Sequence, residues 1–401
     1  MRILYLTQWF EPEPNIIKGL AFVRGLQAAG HEVTVVTGLP NYPAGRLYPG
    51  YRLRLIQHED IGGVRVTRLP LYPSHDASAL RRSLNFLSFF LAALIYCLWR
   101  AGRYDLVYVY HPPITVGLAA ALAGCARPLP FVLDVQDLWP DTVSTTGLRG
   151  AAALSRPIGF LCSFVYRRSA LIIAQSNGMR RALAGRGVPE AKISTIHNWA
   201  VRETALPKQR FDAEDPDRFT IVYAGNFGRA QGLAAVVEAA EILARRRQDI
   251  EIRLIGDGLE FETLRARALG VQGVSVEPRM SSEDIDGIIA ASDAALLHLR
   301  DEPLFRITVP SKTQAYLAYG RPIVAAVAGE AADLLLESGG AIVVPPCQAA
   351  ALADAIGEMA DLPRERRETM GASGRSFYFD NLSFSSGMAA TLSVLASARA
   401  A

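Results

Sequence analysis

Short apolar runs alternate with longer amphipathic segments along almost the whole chain. The first unit is an apolar run at Arg2–Leu6, a polar loop, a helix-length segment at Ile16–Ala29 and a second apolar run at Glu32–Thr37. A connection of that length between two buried strands predicts parallel pairing and a layered α/β sheet. Ligands of such sheets bind outside the carboxyl ends of the strands, so we expect the loop Thr7–Lys18 to contact a substrate.

The same alternation predicts two domains. A chain of 401 residues is too long for one ordinary core, and a stretch rich in charge and proline, Asn198–Phe219, separates two regions that each repeat the strand and helix pattern. We predict a Rossmann-like N-terminal domain over residues 1–200, a second one over 201–380, and a last helix in 381–401 that could cross back to the first. The two doubly wound domains would face each other across a cleft, the expected binding site.

The most apolar run, Leu84–Trp99, has an arginine pair at each end, and a strand is predicted upstream of it at Arg52–His58. As a helix, the run would span about 24 Å, less than the ~30 Å hydrocarbon core of a bilayer. We therefore expect it not to cross a membrane. A helix buried against the sheet and a membrane-facing helix over residues 80–101, lying in the lipid interface, are both compatible with the pattern.

Charge is distributed unevenly between the halves. Residues 1–200 carry 21 Lys and Arg against 11 Asp and Glu, a net charge of +10, whereas residues 201–401 carry 21 against 28, a net charge of −7. The basic half predicts an anionic partner, and because its basic residues are dispersed among apolar runs, a membrane surface fits better than nucleic acid. The four cysteines lie in apolar runs without metal-ligand spacing, which favours reduced core residues in the cytosol and no metal site.

The stretch VPSKTQAYLAYGRPIV predicts a loop, a short helix and a buried strand. Pro310 suits the start of a helix at Ser311–Tyr319, and Gly320 suits the position after its last turn. The free amides and the positive dipole end of this helix would lie beside Lys312 and Thr313, an arrangement that binds phosphate or diphosphate. A capped helix with a purely structural role is the alternative.

Eight segments, taken together, resemble the retaining GT-B glycosyltransferases of family 4. Four carry the general likeness: GHEVTVVTG, IVYAGNFGRAQGL, LIGDG and PSKTQAYLAYGRPIVA. The others resemble, within that family, bacterial polysaccharide-assembly enzymes, including N-acetylfucosamine transferases of O-antigen, capsule and colanic acid synthesis: QWFEPEPNIIKG, GLPNYPAGRLYPGY, YVYHPPITVG and LDVQDLWPDT.

This resemblance implies transfer of a sugar, such as the N-acetylated deoxyhexosamine N-acetylfucosamine, from a UDP-sugar to a polyprenyl-diphosphate-linked saccharide. The anomeric configuration would be retained, with no metal and no cofactor beyond the donor. The donor would bind the C-terminal domain and the acceptor the N-terminal one. The resemblance also implies a cytoplasmic protein, peripheral on the inner face of the cytoplasmic membrane.

Several residues depart from the family pattern. Ile307 and Ala315 stand where two glutamates are usual, the second of which holds the ribose, so ribose must be bound differently or more weakly. Gln231 stands where a lysine is frequent and Gln136 where a histidine is frequent. The glycine pair of the first loop is replaced by Glu13-Pro14-Asn15. Lys312 and Arg229 are then the best remaining cations for the leaving diphosphate.

These considerations predict three sets of site residues. As catalytic groups we predict Glu13, His111, Asp137 and Lys312. As donor contacts we predict Asn226, Arg229, Gln231, Gly256, Arg279, Met280, Pro310, Ser311, Lys312 and Thr313. As acceptor contacts we predict Asn15, Lys18, Asn41, Tyr42 and Gln136.

Plainer roles compete with some of these assignments, and two other functions compete with transfer. His111 could be a loop residue bonded to backbone, and Asp137 could cap the turn that follows it. A UDP-sugar epimerase of the same fold would bind the donor but need no lipid surface. A nucleotide-binding scaffold that has lost its glutamates would bind UDP without turnover.

Overall fold

The computed structural model describes residues 1–14, 17–75, 78–141, 151–203 and 218–400. Its residues form two compact units. The first comprises Met1–His197 together with Gly387–Ala401, and the second comprises Asn198–Ser386. The domain boundary falls close to the charged stretch expected to link two domains, and the end of the last helix belongs to the first unit.

An eight-stranded sheet forms the centre of the first unit. The strands are β1 (Arg2–Leu6), β2 (Glu32–Gly38), β3 (Gln57–Ile61), β4 (Val64–Leu69), β5 (Leu106–His111), β6 (Phe131–Val135), β7 (Leu171–Ala174) and β8 (Ile193–Thr195). Their order is β3-β4-β2-β1-β5-β6-β7-β8, and only the β3–β4 pair is antiparallel among these strands. The central strands β5 and β6 are buried along their whole length, as expected for a sheet covered by helices on both faces.

Five helices of the first unit lie in the connections between these strands. They are α1 (Leu20–Ala28), α2 (Ala79–Arg100), α3 (Ile114–Ala126), α4 (Ala151–Arg168) and α5 (Asn177–Gly185). Connections of this kind bring the carboxyl ends of the parallel strands to one edge of the sheet.

The second unit repeats this architecture around a six-stranded parallel sheet. Its strands are β9 (Phe219–Asn226), β10 (Ile250–Asp257), β11 (Val274–Pro278), β12 (Ala294–His298), β13 (Ile323–Ala326) and β14 (Ala341–Val344), in the order β11-β10-β9-β12-β13-β14. The helices are α6 (Ala234–Ala244), α7 (Phe261–Ala268), α8 (Ser282–Ala291), the four-residue α9 (Pro303–Arg306), α10 (Ser311–Tyr319), α11 (Glu330–Glu337), α12 (Ala349–Asp361) and α13 (Arg364–Asn381). A last helix, α14 (Phe384–Ala400), follows.

The prediction of two Rossmann-like α/β domains is confirmed, and α10 has the predicted bounds. The strand expected at Arg52–His58 was placed too early. The strand β3 begins at Gln57, because its partners in the antiparallel hairpin run only from Val64 to Arg68.

The apolar helix α2 is longer than the sequence suggested. It has 22 residues, because Ser78 caps its first turn and the helix includes the flanking residues Arg81, Arg82 and Arg100. A helix of this length spans about 33 Å, so the argument that it is too short to cross a bilayer was wrong. Within the described ranges, Leu80–Arg103 is the helical segment whose length and composition suit a membrane span, and 39% of its most apolar window is buried in the protein.

The buried part of α2 is the face that packs against the rest of the first unit. One face of α2 lies against α3 and the sheet, where Asn85, Phe89, Ala93 and Cys97 are almost fully buried. This pattern is that of a helix belonging to the domain's outer layer.

Candidate functional site

The helix α10 of the second unit begins where the sequence predicted a diphosphate site. Pro310 is its N-cap residue, and no side chain in the described part of the chain caps this end. The first amides of a helix lack partners within the helix, so they face whatever lies before it. Ser311 is exposed and Lys312 half-buried at this end, whereas Thr313 is fully buried.

Two side chains one turn apart fix α10 against the carboxyl end of β9. The hydroxyl of Tyr316 accepts a hydrogen bond from the backbone N–H of Ala224 at 3.0 Å. One turn earlier, the Nζ atom of Lys312 lies 4.9 Å from the centroid of the Tyr223 ring. Lys312 is thus held over the last residues of the strand.

The position of Lys312 depends on a glycine. Gly225 has φ of +147°, and a Cβ added there would lie 2.6 Å from the Nζ of Lys312 and nearer still to its Cε. The neighbouring strand is equally close, since a side chain at Gly256 would overlap the carbonyl oxygen of Gly225. Because neither position carries a side chain, the two strand ends and the side chain of Lys312 can pack closely against one another.

Lys312 has no anionic partner among the described residues. Burial lowers the pKa of its ammonium to about 8, so the group is poised to be charged when an anion binds beside it. A desolvated cation at a helix N-terminus is an anion-binding arrangement.

The loop after β9 is closed by its own hydrogen bonds. The backbone N–H of Gly228 donates to Oε1 of Gln231 at 3.0 Å. His298, at the end of β12, donates from Nδ1 to the carbonyl oxygen of Gln231 at 2.6 Å and accepts at Nε2 from the N–H of Cys347 at 3.3 Å. Gln231, predicted to contact the donor, therefore uses its side chain to shape this loop.

Three arginines surround this edge of the second sheet and form no ion pair in the portion of the chain described. Arg229 belongs to the loop after β9, Arg279 follows β11, and Arg300 follows β12; all three are exposed. The N–H of Arg300 donates to the carbonyl oxygen of Ala230 at 2.9 Å, which brings Arg300 beside the same loop as Arg229. The sequence analysis missed Arg300, although its place directly after an apolar strand was a usable signal.

The remaining predicted donor contacts occupy the same strand ends. Asn226, the last residue of β9, is exposed, and it pairs across the sheet with Asp257. Met280 is half-buried and packs against the core beneath α8 and α10. Their contact with a nucleotide stays a prediction.

In the first unit, Glu13 joins two loops at the carboxyl edge of the sheet. Its Oε1 accepts from the backbone N–H groups of Asn41 and Tyr42 at 2.9 and 2.8 Å, and its Oε2 accepts from that of Phe10 at 3.2 Å. Burial raises the pKa of this carboxyl to about 7, although these hydrogen bonds act in the opposite direction. With both oxygens engaged, Glu13 is placed to hold the loops together.

Lys18 is fully buried and forms an ion pair with Asp134, a residue within β6. Asp134 also accepts hydrogen bonds from the hydroxyl of Tyr108 and, at 2.6 Å, from Nε2 of Gln136. Two predicted acceptor contacts, Lys18 and Gln136, thus meet on one carboxylate. The sequence analysis overlooked Asp134, whose signal was a single acid inside the apolar run FVLDV.

His111 ends β5 and is completely buried, and neither ring nitrogen has a hydrogen-bond partner in the residues that the structure describes. Burial lowers the pKa of the imidazole to about 3, so the ring is neutral. A buried polar group without a partner is costly, which favours a ligand that satisfies it. The alternative of a backbone-bonded loop histidine does not describe this geometry.

Asp137 lies in the loop after β6, the strand next to the one that His111 ends. Burial raises the pKa of its carboxyl group above the usual range. A raised pKa makes the ionised carboxylate a stronger base for accepting a proton.

Asn41 belongs to a chain of buried amides. Its Oδ1 accepts from Nδ2 of Asn85 on α2 at 3.3 Å, and Oδ1 of Asn85 accepts from Nε2 of Gln8 at 2.6 Å. Tyr42 is half-buried beside it. Asn15, the last predicted acceptor contact, lies outside the described residues.

Among the described residues, no group of three or more His, Cys, Asp or Glu side chains lies close enough together to hold a metal ion.

Comparison with known proteins identifies the class. Residues 20–199 match the family model described as a glycosyl transferase 4-like domain, and residues 218–361 match that of the glycosyl transferases group 1. The first match spans strands β2 to β8 of the first unit, and the second spans all six strands of the second unit. The chain therefore belongs to the family 4 glycosyltransferases of the GT-B fold.

One curated relative is similar along most of its length. It is assigned as the colanic acid biosynthesis glycosyl transferase WcaI of Escherichia coli strain K12, with 27% identity over 365 residues, 85% of this chain and 87% of the relative. Over a shorter region of 158 residues, the chain is 30% identical to the alpha-D-kanosaminyltransferase of Streptomyces kanamyceticus, covering 38% of this chain and 39% of that one.

Solved structures share the fold. Alr3699/HepE of Anabaena in complex with UDP has a TM-score of 0.68 at 18% identity, with 99% of this chain and 100% of that chain covered. The sucrose-phosphate synthase of Thermosynechococcus elongatus has a TM-score of 0.74 at 17% identity, with 99% and 98% covered.

Proposed function

We propose that this protein transfers a sugar from a UDP-sugar to a saccharide carried on polyprenyl diphosphate, during synthesis of a bacterial surface polysaccharide such as O-antigen or capsule. The observation that carries this proposal is Lys312, a desolvated ammonium without an anionic partner in the described residues, at the open N-terminus of α10. A diphosphate is the anion that a sugar nucleotide would bring there. The relative WcaI is named for colanic acid biosynthesis, which supports a surface polysaccharide as the product, and the UDP-bound GT-B structure supports a UDP-sugar donor.

The second unit would stabilise the leaving group. As the bond between sugar and diphosphate breaks, negative charge grows on the leaving oxygen, and fixed donors aimed at that charge lower the barrier most. Lys312 and the first amides of α10 would meet the diphosphate directly. Arg229 and Arg300, on either side of one loop, are two further cations at this edge, so the charge would be offset without a resident metal.

The first unit would bind and activate the acceptor. His111 has two unsatisfied nitrogens that would bond a sugar hydroxyl. Asp137, with its raised pKa, would accept the proton of the attacking hydroxyl. Glu13 and the Lys18–Asp134 pair would hold the surrounding loops in place. Retention of anomeric configuration follows from the family resemblance and belongs to the same proposal.

The exposed face of α2 would bring the protein to its lipid substrate. Large apolar side chains recur there every three or four residues and are 42% to 71% exposed: Leu80, Leu84, Leu87, Leu91, Ile95 and Trp99. Arginines border this stripe, and the guanidinium of Arg100 stacks 3.8 Å from the Trp99 ring centroid. Such a helix suits the interface of an anionic membrane, which supports a peripheral position on the inner face of the cytoplasmic membrane as part of this proposal.

A donor screen tests the proposal. The protein would be incubated with single UDP-sugars, UDP-N-acetylfucosamine among them, and with prenyl-diphosphate saccharides, and the products identified by mass. Transfer that is lost in Lys312→Ala, with an unchanged thermal unfolding profile, is the expected result. Full activity with EDTA present would support metal independence, and the anomeric coupling constant of the product would report retention.

Two other outcomes would contradict transfer. A second UDP-sugar that accumulates without acceptor would identify an epimerase. Tight UDP binding with no product from any acceptor would identify a nucleotide-binding scaffold.

A further inference from the structure

A continuous row of aromatic rings crosses the carboxyl edge of the first sheet. Neighbouring ring centroids are 4.6, 5.7, 6.4, 6.3 and 6.3 Å apart. The aromatic row consists, in order, of His75, Tyr42, Trp9, Phe86, Trp139 and His111.

The chain supplies these rings from separate places. Trp9 follows β1, Tyr42 follows β2 and His75 follows β4, whereas His111 ends β5 and Trp139 follows β6. These five strands are neighbours in the sheet, so their carboxyl ends form one continuous edge. Phe86, on α2, joins Trp9 to Trp139 and closes the row. Six separate segments therefore contribute rings to the carboxyl edge of this sheet, where ligands of such sheets bind.

The four middle rings are only half-buried. Tyr42, Trp9, Phe86 and Trp139 each keep part of their surface open, unlike the core aromatics Tyr5 and Phe22, which have none exposed. Apolar surface left open at the binding edge of a sheet is available to a ligand.

Polar groups lie along the same row. At one end both nitrogens of His111 are unsatisfied, and beside Trp9 the Oε1 atom of Gln8 is buried without a partner in the described residues. A sugar ring has an apolar C–H face and a rim of hydroxyls, so it matches aromatic faces interleaved with hydrogen-bonding groups. A prenyl chain has no hydroxyls and would leave those polar groups unsatisfied.

We propose that the aromatic row binds the sugar rings of the acceptor by stacking, and that it is long enough to hold more than one ring at a time. This inference rests on the proposed function and narrows its acceptor class. The preferred acceptor is a saccharide of at least two sugar residues, with its reacting end at Trp139 and His111.

Tryptophan fluorescence tests the binding step directly. The chain has four tryptophans, and the variant Trp99→Phe/Trp199→Phe leaves emission only from Trp9 and Trp139, the two within the row. It would be titrated with farnesyl diphosphates that carry no sugar, one or two N-acetylhexosamine residues. Saturable quenching supports the proposal if the probe with two sugar residues binds about tenfold more tightly than the probe with none. Equal affinity for all three probes overturns it and assigns the row to the prenyl chain.

Steady-state transfer provides the second test. Trp9→Leu keeps apolar bulk but removes the aromatic face, and it should raise the acceptor KM about tenfold with little change in kcat or in the donor KM. Trp9→Phe keeps a ring and should restore most of the affinity. The control is Phe160→Leu, which alters an exposed aromatic of the same unit outside the row.

The outcomes separate this inference from the proposed function. If no UDP-sugar is transferred but saccharides still quench Trp9 and Trp139, the donor assignment fails and the aromatic row stands. If transfer occurs and Trp9→Leu behaves like the Phe160 control, the row plays no part in acceptor binding.

Discussion

Lys312 lies directly across Gly225, so that no side chain could occupy that glycine without displacing the lysine. The two residues come from different segments, a helix N-terminus and a strand end. The lysine side chain fills the space that a side chain at the glycine would need. Access of the ammonium to an anion at this strand end therefore depends on a glycine 87 positions earlier in the chain.

Gly225→Ala should weaken donor binding. The new Cβ would push Lys312 away from the strand end, and φ of +147° adds backbone strain of about 1–3 kcal/mol. We expect the Kd for UDP, measured by calorimetry, to rise about tenfold or more. The control is Gly270→Ala, which also lies at positive φ, +83°, but has no atom within 4 Å of the added Cβ. Equal UDP affinity in the two variants would contradict the role of Gly225.

The donor kcat/KM should fall at high pH. Burial lowers the pKa of Lys312 to about 8 in the free protein. Above that pH the ammonium loses its proton and its attraction for diphosphate, so kcat/KM should fall about tenfold per pH unit. Lys312→Arg stays charged throughout and should give a flat profile between pH 7 and 10, at a lower absolute level. A wild-type profile that is flat to pH 10 would remove Lys312 from donor binding.

Lys18 should stabilise the fold of the first unit rather than contact the acceptor. The residue is fully buried against Asp134, so Lys18→Met would leave a buried carboxylate without its cation and lower the free energy of unfolding by about 3–5 kcal/mol. The double variant Lys18→Met/Asp134→Leu should recover much of that loss. Urea unfolding measures both. A Lys18→Met protein with unchanged stability would instead favour the predicted direct contact with the acceptor.

Asp137→Asn should reduce transfer far more than donor binding. The amide cannot accept the proton of the acceptor hydroxyl, and loss of a general base costs about 10²–10⁴-fold in rate. UDP affinity should stay within about twofold, because Asp137 belongs to the first unit. If calorimetry shows the larger loss in UDP binding, Asp137 is not the base.

Charge reversal beside the exposed face of α2 should release the protein from membranes. Each basic residue near an anionic surface contributes about 1 kcal/mol to membrane binding. Arg81→Glu/Arg82→Glu should therefore lower the partition coefficient onto anionic vesicles by tenfold or more, which is about the effect of losing two such residues. The matched control is Arg245→Glu/Arg265→Glu, which changes the net charge equally at exposed positions of the second unit. Similar release of both variants would point to net charge alone.

Much of the fold was predictable because its signals are local. The alternation of apolar runs and helices specified the two sheets, and Pro310 with Gly320 specified α10 to the residue. The length of α2 was missed because charged residues at both ends looked like boundaries, whereas a helix continues through arginines that can reach solvent.

The site was less predictable because its contacts are between distant segments. Lys312 could be identified from a helix start, but its approach to Gly225 could not. Lys18 was predicted as an acceptor contact, yet its burial depends on an ion pair with Asp134, which lies 116 positions away. Asn85 was read as part of an apolar run, and its role in the amide chain with Gln8 is visible only in three dimensions.

The last turns of α14 belong to the first unit, where Val394, Leu395 and Ala398 are buried. Along the polypeptide, the second unit is thus an insertion within the first. A ribosome making this protein releases the residues that complete the first core only after the whole of the second has emerged. The unit whose synthesis begins first is therefore the last to complete its hydrophobic core.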